Sequence, residues 1–301
     1  MLSLQDFGSF YIAGNSISIK GQSIQKVMRN DHTEIELDPN GEYNNGAMYV
    51  QYYKPTISTG TYLLIHGGGM SGAVWDIWVK KLLSLNKTVY IVDSVGVGRS
   101  GYCPFDPNLS TQNPELRSYE RTWTHFRLGS QEDFESKKTY KNSQFQEKNF
   151  EDFTKQNIPR WNNYVEPSVE AIKELLKRKS HWNIIAHSQG ADIALRLLDN
   201  FSVKNILLIE PAAFPDLKKR PHFPQKSVSF LYGDYIDSEH SAFWADLFKK
   251  AEQYQEALAL RGIKTTMLKL PDHEIYGNTH APMCDKNSEE VFELAISLIE
   301  D

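Results

Sequence analysis

Five consecutive residues, Ala186-His187-Ser188-Gln189-Gly190, carry the clearest chemical signal in the chain. An apolar run over 182–186 leads into them and a helical pattern over 191–198 follows. A serine on a sharp strand-to-helix turn has its hydroxyl lifted clear of the sheet, and the turn crowds the positions two before and two after it, so both must be small. Ala186 and Gly190 meet that demand. The next N–H, from Gln189, then falls at a helix N-terminus, where it can stabilise an oxyanion. Small-x-Ser-x-Gly is frequent by chance, and a serine before a helix is more often a plain N-cap. Its place behind a buried strand favours the nucleophile.

A second piece is His66-Gly67-Gly68-Gly69, directly after the apolar run 61–65. It resembles the HGGG oxyanion loop of esterases and lipases, in which glycines let backbone N–H groups turn inward. That makes Gly68 a donor beside Gln189, with Gly69 as a further candidate. A phosphate-cradling loop would need Gly-Lys-Ser/Thr at its end, and none is present. A third stretch, Asp93-Ser94-Val95-Gly96-Val97-Gly98-Arg99-Ser100-Gly101, contains G-x-G-x-x-G. A dinucleotide site would require that fingerprint to open a helix, yet Pro104 and Pro107 follow. The expectation is no cofactor.

A serine nucleophile needs a histidine and an acid, in the chain order Ser, acid, His for this kind of turn. Of nine histidines, His280 is placed best, in a short loop between the run 265–270 and a terminal helix. His273 competes from the same loop, and His187 adjoins the serine but points away from it. Two positions compete for the acid. Glu210 ends the run 205–209, whereas Asp234, or Asp237, follows the run 227–232. Position alone leaves Glu210 and Asp234 even.

These residues need a scaffold. Continuous apolar runs at 61–66, 88–92, 182–186, 205–209, 227–232 and 265–270 suit parallel strands buried on both faces. Helical spacing separates them. Val74, Trp78, Val79 and Leu82 mark one helix; Trp161, Val165, Val169, Ile172 and Leu176 mark another, with Pro159 in its first turn. Phe243, Leu247, Tyr254 and Leu258 mark a third, and Asn287 with Glu290 caps a last one through Val291, Leu294 and Leu298. Strands alternating with helices give an α/β fold with a mostly parallel central sheet flanked by helices. Ahead of it, 9–13 and 16–20 around Gly14-Asn15 read as a hairpin, and 48–53 as a further strand.

The segment 101–158 breaks the rhythm. It is aromatic, with Phe105, Trp123, Phe126, Phe134, Phe145, Phe150 and Phe153 among others, and has no clean period. Such an excursion between two strands reads as a lid over the site, leaving 1–100 and 159–301 as the core. A packing insertion is the plainer alternative.

Composition narrows the partners. With 40% hydrophobic and 24% charged residues the chain is globular, and a net charge of −5 argues against nucleic acid. No apolar run reaches the ~18 residues of a membrane span. Residues 1–10 lack a signal peptide's basic and apolar regions; as written the chain reads as cytoplasmic, and an export signal ahead of it would make it periplasmic or secreted. Cys103 and Cys284 read as unpaired thiols, and the His, Cys and acidic residues show no metal spacing. Oligomeric state is not legible.

Together the motifs resemble the α/β-hydrolase superfamily, and within it bacterial carboxylesterases whose acid follows the strand next to the nucleophile strand. The matching segments are His66-Gly67 through Met70-Ser71-Gly72, Asp93 through Ser100, Phe126-Arg127-Leu128-Gly129, Ala186 through Gly190, Ile209-Glu210-Pro211, Gly233-Asp234 and Gly277-Asn278-Thr279-His280. They span most of the chain from about residue 47. The resemblance implies an α/β-hydrolase fold, Glu210 as the acid, His280 as the base and a small-molecule ester as substrate. Relatives can carry adjacent cysteines where this chain has Gly68-Gly69, so substrate preference does not transfer. Lactone, amide or carbon–carbon hydrolysis on the same residues, and a non-catalytic binding protein, are the rival readings.

Overall fold

Why the apolar runs become strands is visible at the centre of the sheet. In the computed structural model, which describes residues 3–104, 113–217 and 226–300, strands β5 (Gly60–Ile65) and β7 (Trp182–His187) are sandwiched between two layers of helices. Leu63 and Ile65 face one apolar cluster, Tyr62 and Leu64 the other. Each such side chain taken from water stabilises the fold by roughly 1.5–3 kcal/mol. The eight-stranded sheet runs β1-β4-β6-β5-β7-β8-β9-β10. Here β1 is Leu4–Ile19, β4 Gly41–Pro55, β6 Lys87–Asp93, β8 Val203–Ile209, β9 Ser227–Tyr232 and β10 Lys264–Lys269. From β6 to β10 the neighbours are parallel, while β1 and β4 join antiparallel at one edge.

Helices α1 (Asp76–Ser84) and α7 (Ser288–Glu300) cover one face, with the rings of Trp78 and Phe292 5.5 Å apart. Helices α4 (Val165–Leu176), α5 (Gly190–Leu195) and α6 (Ala242–Ala259) cover the other. This is the α/β architecture expected, with strand ends within two residues of the apolar runs.

Two local expectations fail. Gly14-Asn15 is no hairpin turn, because β1 passes straight through it and pairs with β4 on both sides, Ala13 opposite Ala47 and Asn15 opposite Asn45. Both strands kink there instead, at Gly14 and Gly46, each with positive φ. A partner strand of matching length takes up both halves, so the turn signal is overridden. The hairpin lies elsewhere, between β2 (Gln25–Asn30) and β3 (Thr33–Leu37), which form their own two-stranded sheet. Pro159 is not in a first helical turn either. Residues 158–160 are held extended, Ile158 N–H donating to Gly69 O (3.0 Å) and Arg160 N–H to Glu115 O (3.1 Å), and α4 starts only at Val165.

The aromatic excursion contributes two short helices, α2 (Tyr119–His125) and α3 (Phe150–Thr154). Trp123, Phe126, Phe150 and Phe153 are buried in the same cluster as α1 and α7. Edge-on ring pairs such as Phe126–Phe153 at 4.9 Å join them. Phe105 and Pro107 lie outside the described residues. Among those described, no helix is long and apolar enough to cross a membrane, and Cys103 and Cys284 are free thiols.

Candidate active site

Ser188 follows β7 with φ +53°, the left-handed backbone that a sharp strand-to-helix turn demands. Gly190 is dictated by the same turn, since a Cβ there would stand 2.5 Å from the His66 carbonyl oxygen. The serine hydroxyl donates to Nε2 of His280 at 2.9 Å, and His280 Nδ1–H donates to Oε2 of Glu210 at 3.2 Å. Glu210 leaves the end of β8, and His280 lies in the loop between β10 and α7. The three form one hydrogen-bonded row along the carboxyl ends of neighbouring strands, where open α/β sheets bind their ligands. Serine is only 6% exposed, and Glu210 is fully buried.

A carboxylate without solvent needs compensation. Arg127 supplies it with a two-pronged contact, Nη1 to Oε2 at 2.9 Å and Nη2 to Oε1 at 2.7 Å, while Gly233 N–H also donates to Oε1. Burial alone would raise the Glu210 pKa, but the Arg127 charge and the bonds from His280 and Arg127 overcome it, bringing it down to about 2. His280 moves the same way for other reasons. Burial and the charges of Arg127 and Arg117 push it down, Glu210 pulls upward, and the balance is about 4. At neutral pH the imidazole is therefore uncharged, with its proton on Nδ1 and a lone pair on Nε2 facing the serine. Such a row can take a proton from the hydroxyl and give it back.

The histidine loop is fixed from several sides. His280 N–H donates to Phe126 O (3.0 Å), and its carbonyl accepts from His187 Nε2–H (2.7 Å). The Trp244 ring packs 4.2 Å from that of His280, and the Arg127 guanidinium stacks 4.9 Å from the other ring centre, that of Trp244 itself. Asp285 accepts from Thr279 N–H (2.8 Å) and from the Asn278 amide (3.0 Å).

The remaining expected residues fall as follows. Gly67 and Gly68 line the serine turn: a Cβ on Gly67 would lie 3.0 Å from Ser188 Cβ, and one on Gly68 only 2.0 Å from Gln189 Oε1. Gly68 and Gln189 are thus neighbours across the turn, and Gly69 continues the loop. Asp234 is not in the row, its carboxylate instead accepting Tyr235 N–H (2.8 Å) and Gly277 N–H (3.0 Å). Asp237 pairs with His240 at the surface (2.9 Å), and His273 is exposed. Asp93 is a structural clamp, taking Gly72 N–H (2.7 Å) and both the backbone and side chain of Arg99 (2.8 Å each). Among the described residues no group of His, Cys, Asp and Glu could hold a metal.

Arg127, Trp244 and Asp285 escaped sequence reasoning. Arg127 alone left a trace, as a charge between the apolar Phe126 and Leu128 in the matching segment Phe126-Arg127-Leu128-Gly129, where it was given no role.

Residues 62–293 match the family model described as alpha/beta hydrolase fold. Among solved structures, a bacterial esterase determined at atomic resolution shares 23% identity over 99% of this chain and 96% of its own, with a TM-score of 0.85. The carboxylesterase CesB from Bacillus subtilis shares 13% over 97% and 91%, with a TM-score of 0.47. No curated protein sequence matches the chain.

Proposed function

Since the chain belongs to the α/β hydrolase fold family, we propose that it hydrolyses carboxylic esters through an acyl-enzyme on Ser188. The carrying observation is the row Ser188–His280–Glu210 at 2.9 and 3.2 Å. Ser188 Oγ attacks the ester carbonyl while His280 Nε2 takes its proton. The tetrahedral oxyanion is received by the N–H groups of Gln189 and Gly68, with Gly69 a further donor; one such bond is worth ~3 kcal/mol of transition-state stabilisation. His280 then returns the proton to the departing alcohol, and the same steps with water release the acid. Glu210 holds the imidazole in the required tautomer and stabilises the imidazolium as it forms. Residues 113–158 act as a cover, carrying Phe126 against the imidazole with ring centres 5.5 Å apart.

A fluorophosphonate should label the protein once, at Ser188, and abolish turnover of short-chain chromogenic esters. Ser188→Ala should take neither label nor substrate. An adduct mapped to another residue, or ester turnover surviving in Ser188→Ala, would refute the assignment.

A further inference from the structure

The walls on either side of Ser188 carry different charge. Beside His280, Arg127 and Glu210 neutralise each other. Beside the glycine loop, three arginines gather around one carboxylate. Glu115 binds Arg160 at 2.7 Å and Arg121 at 3.3 Å, and Arg117 has no ion pair among the described residues.

Arg117 is not a solvated surface cation. Its Nη2 donates to the Gly68 carbonyl, and its Nη1, shielded from solvent, has no hydrogen-bond partner among the described residues. That nitrogen stands 2.9 Å from where a Gly69 Cβ would be. The guanidinium and the His280 imidazole share one aromatic neighbour, at 5.2 and 5.5 Å from the centre of the Phe126 ring. Burial and the like charge of Arg160 bring the Arg117 pKa down to about 10, so it stays charged at neutral pH. The Glu115 carboxylate acts on it too, but that charge is shared with Arg160 and Arg121; a guanidinium that gives up water for so little counter-charge destabilises the fold, since each lost partner is costly. Such a cost is offset when a ligand brings the missing anion, and a planar fork favours carboxylate.

We propose that Arg117 is an anion subsite, and that the ester taken by Ser188 carries a free carboxylate a few atoms from its scissile carbonyl. Arg160, whose Nη1 flanks Gly68, adds positive potential but is already bound to Glu115. The inference rests on the hydrolase reading for its substrate, though not for its anion.

Two matched pairs test it on both sides of the ester: monomethyl against dimethyl glutarate, and 3-acetoxypropionate against its methyl ester, followed by pH-stat. The wild-type protein should favour the acid of at least one pair by on the order of tenfold or more in kcat/KM. Arg117→Gln should bring that ratio close to one, and Arg117→Lys should restore part of it. In parallel, calorimetry on Ser188→Ala reads binding of the same acids without turnover, and adding Arg117→Gln should weaken it by a similar factor. Equal rates for acid and neutral esters, with no Arg117-dependent binding, would overturn the subsite and leave the hydrolase standing. Arg117-dependent binding of the acids by a protein that cleaves no ester would do the reverse. Should Arg117→Gln fail to fold, the wild-type ratio and the Arg117→Lys variant decide.

Discussion

The two sides of Ser188 are built on opposite principles. On the His280 side the acid is matched: Glu210 receives both prongs of Arg127, a backbone N–H and the imidazole. On the glycine-loop side Arg117 is left, among the described residues, with a backbone carbonyl and one unsatisfied nitrogen. A closed network fixes geometry because each member has only one place to be. An open one stores binding capacity. The fixed side holds the groups assigned to the chemistry, and the open side is where substrate identity would be read.

The comparison breaks most visibly at Glu210. Glu210→Gln keeps the shape but removes the charge that orients His280 and matches Arg127. We expect kcat to fall on the order of 100-fold or more in a folded protein, as checked by circular dichroism. Asp234→Asn should keep most of the activity, because an amide oxygen can still accept Gly277 N–H. If the two variants behaved in reverse, the acid would be Asp234.

A smaller effect is expected at Arg127. Arg127→Met leaves Glu210 buried without its partner, which should destabilise the fold by about 3–5 kcal/mol in urea unfolding. It also removes a positive charge that opposes protonation of His280. Because His280 works as a base only when neutral, wild-type kcat/KM should fall with decreasing pH only near about 4. In Arg127→Met that limb should move to higher pH. An unmoved limb would mean that Arg127 acts on Glu210 alone.

The mildest effect is expected at Phe126, whose ring touches both sides. Phe126→Leu conserves most of the buried volume and should change relative rates across acyl chain lengths by about threefold to tenfold, the value of a methylene or two in an apolar pocket. Losses equal for all esters and tracking the unfolded fraction would return the excursion to a purely packing role.

What was legible in sequence follows from the range over which each constraint acts. The buried parallel strands were readable because two-sided burial leaves a continuous apolar run, as at Ile206 to Ile209. The serine turn was readable because its crowding acts within two residues, through Ala186 and Gly190. Gly14-Asn15 misled because its outcome depends on β4, some thirty residues away. Position could not choose between Glu210 and Asp234 for a similar reason: both end strands beside one another, and only the tertiary placement of Arg127 and His280 separates them. Arg127 was hidden because its partner is 83 residues distant, a spacing that no local pattern records.

Arg127 also divides the excursion in which it lies. Its Nε donates to Asp234 O (2.8 Å) and its neighbour Phe126 receives His280 N–H (3.0 Å), so residues 126–128 belong mechanically to the sheet edge. Residues 140–144 are tied there too: Gln144 N–H donates to Gly277 O (2.7 Å), Lys286 N–H to Gln144 O (3.0 Å) and Tyr235 O–H to Lys141 O (2.7 Å). A chimera that exchanged all of 101–158 for a foreign segment would strip the counter-charge from Glu210 and the support from His280 together. One that kept 119–144 and exchanged only the stretches on either side of it would preserve both. The segment thus joins a brace that the sheet edge needs to stretches that could be exchanged without touching Glu210 or His280.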